Sequence, residues 1–319
     1  MAELSHTLQS NSASGRFVNA CSTTALQERF RRFLQREVKG DAVIPRFSLI
    51  IPTLGRTEEL AKLLTSIHEQ QRNDVEVILV DQNEDNRISL LLDTLPVRLN
   101  LRHIRSCEKG PSVARNLGMD AASGIILAFP DDDCWYPAEL LSRVDAWFGL
   151  HPEYAVLAVG ALDDEGVPSG NRWIQSACDI GSYNALRTTF CSSLFIAAAG
   201  CSCRVRFDSK LSRAEETDFV LRLLAAGLRG RFDRTLHIHH PRRDMLSGTV
   251  SKARAMSYGQ GMGCLVRRHS LYLLWAALLA YDLGRAVLVS LRGRLHDAGF
   301  CFAHAHGLFT GFVSESLHE

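Results

Sequence analysis

From Phe47 onward the chain alternates short apolar runs with segments whose apolar residues recur every three or four positions. Phe47–Pro52 (FSLIIP), Val75–Val80 (VEVILV) and Ile125–Phe129 (IILAF) have the length and composition of buried strands. Leu99–Arg105 is a weaker strand. Helical spacing runs over Thr57–Ile67, behind a capping turn at Thr53–Thr57, and over Val113–Ala122, behind the turn Lys109-Gly110-Pro111-Ser112. Gly124 punctuates the chain before the next strand, and Thr217–Ala226 reads as a further helix. Strand, helix, strand, strand, helix, strand in about a hundred residues predicts an α/β fold with a doubly wound sheet.

The flanks are patterned differently. Residues 1–24 are rich in Ser, Thr, Asn and Ala and read as a loosely attached lead, while Leu26–Val38 forms an amphipathic helix that packs on the domain by default. Residues 137–212 are the least legible: Trp147 and Phe148 suggest an apolar helix, and Asp163–Gly166 and Pro168–Gly170 mark loops. Beyond Gly227 basic residues outnumber acids, and Leu271–Leu291 is strongly apolar. Its unbroken apolar part, about ten residues, falls short of the roughly twenty that span a bilayer, and Asp282 and Arg285 would be costly there. The flanking arginines, Trp275 and Tyr281 fit a helix or hairpin lying in a membrane interface, with docking on the sheet or in a homodimer as the alternative. Phe300–Val313 carries no assignable pattern. The division expected is an N-terminal lead over 1–45, an α/β domain over 46–245 and a helical region over 246–319.

Composition narrows the classes. With 319 residues, 46% of them hydrophobic, the chain can bury a full core, and a net charge of +1 gives no case for nucleic-acid binding. The nine cysteines are odd in number and lack CxxC spacing, which reads as reduced thiols in a cytosolic protein, neither a disulfide framework nor a zinc site. The N-terminus has no basic stretch followed by an apolar one, so no secretory signal is expected.

The chemistry centres on Asp131-Asp132-Asp133, which end the strand Ile125–Phe129. Three carboxylates cannot sit unpaired in a core, but at the carboxyl end of a buried strand they face the crevice where open α/β sheets bind ligands. There they are hard oxygen ligands for Mg²⁺ or Mn²⁺. Asp81 ends a second strand and can accept a hydrogen bond from a base or ribose, and the turns at Pro52–Arg56 and Lys109–Ser112 expose helix-start N–H groups that favour phosphate. A nucleoside diphosphate with a divalent metal satisfies these features together. Each has a plainer reading taken alone: the triple Asp as an acidic turn, Asp81 as a loop cap, Arg115 as a surface ion pair.

FSLIIPTLGR, VEVILVDQNEDN, KGPSVARNLG, GIILAFPDDDCWYP and AEETDFVLRLLAAG, in this order, resemble a family-2 glycosyltransferase of the GT-A fold over roughly residues 46–240. The resemblance implies a doubly wound mixed sheet flanked by helices, here with a helical C-terminal appendage. It implies transfer of a sugar from a UDP- or dTDP-linked donor with inversion, to a glycan or lipid-linked acceptor. By position, Pro52, Thr53, Arg56 and Asp81 would line the nucleoside pocket, and Lys109, Arg115 and Asn116 the ribose and diphosphate. The triple Asp matches the family's DxD element, with Asp131 and Asp132 on the donor and Asp133, with Asp131, on the Mn²⁺ or Mg²⁺. A histidine at 239 or 240 would approach the metal or diphosphate, and His239 is taken as the ligand; spacing alone equally suits a structural pair with His237. Glu215-Glu216-Thr217-Asp218 matches the segment that supplies the catalytic base.

Inverting transfer needs a carboxylate to take the acceptor's hydroxyl proton, and Glu216 is the base expected, with Glu215 and Asp218 as fallbacks. The family has Asp at this position, so Glu places the oxygens about 1–1.5 Å farther out. Leu54 stands where an aromatic is frequent, Gln82-Asn83 replace Gly-Ser, and Cys134 replaces a fourth Asp; a thiol there is a packed group and not a Mg²⁺ ligand. Arg172, Trp173 and Tyr183 are acceptor-site candidates. Lipid-linked acceptors in the family favour attachment to the cytoplasmic face of the inner membrane. The rival readings are a GT-A-like nucleotidyltransferase, which would need a Gly-rich basic phosphate loop after the first strand, and an inactive nucleotide-sugar-binding scaffold.

Overall fold

The computed structural model describes residues 44–169, 176–188, 191–197, 205–211, 213–241 and 252–314. The stretch Leu26–Val38 and the acceptor candidates Arg172 and Trp173 lie outside these residues. The elements are β1 (Phe47–Thr53), α1 (Glu58–His68), β2 (Val75–Asp81), α2 (Arg87–Thr94), β3 (Asn100–Arg105), α3 (Pro111–Ala121), β4 (Ile126–Ala128) and α4 (Leu140–Leu150). They continue with β5 (Val156–Leu162), β6 (Cys178–Ile180), β7 (Leu194–Ala197), α5 (Glu215–Ala225), β8 (Gly230–His239), α6 (Lys252–Arg268), α7 (Tyr272–Leu291) and α8 (Leu295–Val313).

The strands form one sheet in the order β3-β2-β1-β4-β7-β5-β8-β6. The β3-β2-β1-β4 half is parallel, β7 runs antiparallel to both β4 and β5, and β8 is parallel to β5. The result is a mixed sheet flanked by helices, as the resemblance implies. Helix α2 was not expected from the sequence; Ile88 is its one buried residue, too little to mark a face. Alternate β1 residues serve the two faces, as the pleat requires. Phe47, Leu49 and Ile51 meet Leu60, Leu63 and Leu64 of α1, while Ile50 joins Ile78, Ala114, Phe129, Phe219 and Val220 on the other side. Because β1, β2 and β4 are parallel, their carboxyl ends open on a single edge, where Thr53 and Asp81 are register partners.

Gly124 sets the approach of the chain to β4. A Cβ there would lie 2.6 Å from the Ser48 amide nitrogen and 2.7 Å from the Phe47 carbonyl carbon, so backbone, not a flexible tip, is in the way. Gly124→Ala is expected to destabilise the protein by about 2 kcal/mol, read as a lower midpoint of chemical denaturation.

The C-terminal region is joined to the core. Leu265 and Val266 of α6 and Leu271 are buried in the same cluster as Phe219 and Val220. Helices α6 and α8 cross at glycines: a Cβ on Gly263 would lie 2.6 Å from the Phe312 amide nitrogen, and one on Gly311 2.7 Å from the Gln260 carbonyl carbon. Helix α7 leans on α8 and, through its first turn, on α6 and the core, and otherwise faces outward, with Leu273 79% and Leu291 80% exposed. Leu271–Leu291 is not interrupted at Asp282: that carboxylate is buried and meets His304 Nδ1 of α8 at 2.6 Å, so the helix continues for 20 residues. Among the described residues, α7 is the one helix long and apolar enough to cross a membrane by length and composition.

Candidate active site

The acidic loop leaves the sheet where β4 stops. Phe129 is fully buried, edge-on to Phe207 and Phe219, and pins the strand end so that Asp131–Asp133 emerge at the sheet's edge. The three carboxylates diverge. Asp132 turns toward the β1 turn, where the Thr53 hydroxyl donates to it at 2.9 Å and the Arg56 guanidinium pairs with it. Burial pushes the Asp132 carboxyl up in spite of Arg56. Asp133 receives the other Arg56 nitrogen at 2.9 Å. Asp131 accepts from Arg115 at 2.8 Å and from the Ser192 hydroxyl at 2.6 Å. Burial alone would raise the Asp131 carboxyl; Arg115 and Ser192 outweigh it and hold it below the usual range. Cys134 is fully buried, and burial beside three aspartates pushes its thiol well up, so it is a packed, protonated group.

Asp131, Asp133 and His240 each offer a ligand atom, all within 4.8 Å of one another. The two carboxylates suit Mn²⁺ or Mg²⁺, and the imidazole favours Mn²⁺ over the harder, oxygen-seeking Mg²⁺. The histidine expected in this role was His239, and the structure corrects it. His239 is the last residue of β8 and pairs its backbone with Trp135, whose ring it stacks on at 5.2 Å; the next residue, His240, brings Nε2 to 3.5 Å from Asp133. Successive residues of an extended chain face opposite sides, so only one of the two can reach the acidic loop.

Arg115 joins this loop to α5. It is 3% exposed, and its second terminal nitrogen reaches Glu215 at 3.3 Å. Glu216 follows, half-buried, and among the described residues no side chain holds it in an ion pair. Burial, then the neighbouring Glu215 charge, pushes the Glu216 carboxyl up to about 7. Asp218 does not fit its fallback role as base. It is fully buried and clamped by Arg222 at 2.7 Å, Arg268 at 3.1 Å and His269 at 3.0 Å, and its carboxyl is held at about 2 against burial, by the His269 hydrogen bond first and then the arginines.

Other expected donor residues are engaged elsewhere. Asn116 clasps the backbone of Phe207 with both ends of its amide, each at 2.8 Å, and so organises that segment instead of facing a ribose. Asp81 accepts from the Asn83 amide and side chain at 2.9 and 2.8 Å and meets His103 at 3.0 Å, which is the loop-capping role. Lys109 is exposed and pairs with Glu84 at 2.6 Å. Tyr183 is exposed on the turn after β6. Ser192 and His103 had no signal in the sequence, because each acquires its role from a residue distant along the chain, Asp131 and Asp81 respectively.

A profile described as "Glycosyl transferase family 2" matches residues 48–210, slightly more than half of the chain. The chain belongs to glycosyl transferase family 2. Its curated relatives carry glycosyltransferase names. A PGL/p-HBAD biosynthesis glycosyltransferase of Mycobacterium tuberculosis is 37% identical over 110 residues, covering 34% of this chain and 43% of the relative. The GalNAc(5)-diNAcBac-PP-undecaprenol beta-1,3-glucosyltransferase of Campylobacter jejuni is 32% identical over 93 residues, 28% of this chain and 30% of the relative. The chain therefore spans less than half the length of these curated relatives. Among solved structures, S. aureus TarS 1–349 in complex with UDP-GlcNAc superposes with a TM-score of 0.53 at 19% identity, covering 83% of this chain and 91% of that one. The Pyrobaculum calidifontis mannosyltransferase PcManGT, in complex with GDP-Man and Mn²⁺, gives 0.60 at 16% identity, covering 90% and 94%. At these identities the two structures share the family-2 member's fold.

Proposed function

We propose that this family-2 member transfers a sugar from a nucleoside diphosphate sugar, UDP- or dTDP-linked, to a glycan or lipid-linked acceptor with inversion, using Mn²⁺ or Mg²⁺. The observation that carries the reading is the single buried Arg115 tying the Asp131 loop to Glu215, so that the candidate metal group and a raised-pKa glutamate share one edge of the sheet. Asp131, Asp133 and His240 would hold the ion. When bound, it offsets the negative charge that develops on the departing diphosphate. Thr53 and Arg56 fix Asp132, and with it the shape of the donor side of the crevice. Glu216 takes the proton from the acceptor hydroxyl as that oxygen attacks the anomeric carbon from the side opposite the diphosphate. A base with a pKa near neutrality is deprotonated enough at physiological pH and still basic enough to accept that proton. The names of the Mycobacterium and Campylobacter relatives favour a glycolipid or lipid-linked glycan as acceptor.

An acceptor of that kind fits attachment at the cytoplasmic face of a membrane, through the exposed apolar side of α7 and the arginines Arg292 and Arg294 that follow it. The full chain is expected to co-sediment with phosphatidylglycerol-containing vesicles and less with neutral ones, and Leu273→Glu with Leu288→Glu is expected to abolish sedimentation while leaving the fold intact.

The test is turnover. Purified protein with Mn²⁺ or Mg²⁺ is given UDP-, dTDP- and GDP-sugars and a membrane lipid extract, and nucleoside diphosphate release is followed. Metal-dependent release from one donor class is the expected result. Nucleotide binding without release in any combination would support the scaffold reading, and pyrophosphate exchange in place of diphosphate release the nucleotidyltransferase.

A further inference from the structure

Asp218 lies two residues beyond Glu216 on α5. At 3.6 residues per turn the two side chains point to roughly opposite sides of the helix. One side faces the crevice. The other faces α6, a helix outside the 48–210 stretch that matches the family profile.

On that far side the contacts are dense and charged. Asp218 is fully buried, yet it accepts hydrogen bonds from Arg222 of its own helix and from Arg268 and His269 at the end of α6. Arg268 is shared. One terminal nitrogen reaches Asp218 at 3.1 Å and the other reaches Asp208 at 2.6 Å. Asp208 adjoins Phe207, whose ring stacks on Phe219 of α5 at 4.2 Å and lies 5.4 Å beneath the Arg115 guanidinium. Arg222 adds a hydrogen bond of 2.6 Å to the Arg206 carbonyl. The residues around the clamp are buried too: Leu265 and Val266 of α6 are fully covered, in one cluster with Phe219 and Val220.

A buried ionic cluster of this kind is a poor source of stability, since apolar residues of similar volume commonly do as well; fixed orientation is what it supplies. Here the element it orients is the first turn of α5. That turn has no side-chain cap of its own, and Ala214, the residue before it, has φ +62°. Within the first turn Arg115 holds Glu215, one residue before Glu216. Arg268 and His269 hold the far side from outside the helix, through Asp218.

We infer that Arg268 and His269, contributed by the C-terminal region, are positioning residues for Glu216, acting through Asp218 to set the rotation and register of the helix that carries it. The inference rests on Glu216 being the base. The C-terminal helices are then a working part of the catalytic centre as well as a surface for docking. A displacement of Glu216 by a fraction of an ångström lowers the rate of proton transfer, while the contacts of Asp132 with Thr53 and Arg56 on the donor side do not run through α5.

The experiment compares full-length wild type, Arg268→Gln, Arg268→Lys, His269→Gln and Glu216→Gln. Readouts are kcat and KM with UDP- and dTDP-sugars, affinity for UDP and dTDP with Mn²⁺, and amide hydrogen exchange across Glu215–Ala225. Arg268→Gln is expected to lower kcat by about tenfold or more, leave nucleotide affinity unchanged and speed exchange in the first turn of α5. Arg268→Lys restores part of the rate, because one ammonium serves only one of the two carboxylates well. Should Arg268→Gln fail to fold, Arg268→Lys and His269→Gln carry the same comparison, with smaller losses confined to kcat. Wild-type kcat in these folded variants, unchanged exchange in α5, or parallel loss of kcat and nucleotide affinity overturns the inference. If Glu216→Gln is inactive while the Arg268 and His269 variants are fully active, only the positioning role falls. If Glu216→Gln turns over normally, the assignment of the base falls, and the inference with it.

Discussion

Glu216→Gln is expected to lower turnover by about 10²–10⁴-fold while nucleotide binding is retained, because Gln keeps the shape and removes only the ability to take a proton. The pH behaviour gives an independent reading of the same group. Burial and Glu215 raise the Glu216 carboxyl from 4.5 to about 7, so the wild-type rate should climb about tenfold per pH unit on the acid side and level off above about 7. Stability runs the other way. A carboxyl whose folded pKa is raised binds its proton more tightly in the folded state, so the wild type loses stability as pH rises from 4.5 through about 7. Glu216→Gln should remove that loss. The two variants' denaturation midpoints therefore diverge across this window, with the mutant the more stable at pH 8.

The second large effect is expected at Asp133. Asp133→Ala removes one of the two carboxylates of the Asp131, Asp133 and His240 group, and should abolish metal-dependent turnover, by about 10³-fold or more, along with Mn²⁺ binding measured by electron paramagnetic resonance. The fold should survive, since Asp132 retains both Thr53 and Arg56 and continues to tie the acidic loop to β1. Asp132→Ala is the informative contrast: it breaks that tie and leaves the Thr53 hydroxyl without its acceptor.

The strands that carry the crevice were legible because each is a short, dense apolar run ending in a turn or an acid. Phe47–Thr53, Val75–Asp81 and Ile126–Ala128 all read that way, and Glu58–His68 and Pro111–Ala121 follow the expected turns, although neither Thr57 nor Gly110 caps its helix through a side chain. The other half of the sheet was not. Val156–Leu162 and Leu194–Ala197 are apolar runs too short to tell from buried helix, and β7 gains its antiparallel partners, β4 and β5, only in three dimensions.

At the site, the sequence located the acidic loop and the α5 carboxylates but could not say which way each side chain turns. Asp218, Asn116 and Asp81 have the residue types of a donor or catalytic site, yet each is consumed by a neighbour: Arg268 and His269, the Phe207 backbone, and Asn83 with His103. The choice between His239 and His240 turns on strand phase, and Trp135 fixes that phase by pairing with His239.

That phase gives the most direct test of the metal-dependent nucleotide site. UDP and dTDP binding is measured by calorimetry with and without Mn²⁺ in wild type, His239→Ala and His240→Ala. Mn²⁺ is expected to strengthen nucleotide binding in the wild type, His240→Ala to weaken the metal-dependent part by at least about tenfold, and His239→Ala to leave it unchanged. Nucleotide affinity indifferent to Mn²⁺, or a loss produced by His239→Ala and not by His240→Ala, would contradict that metal-dependent site.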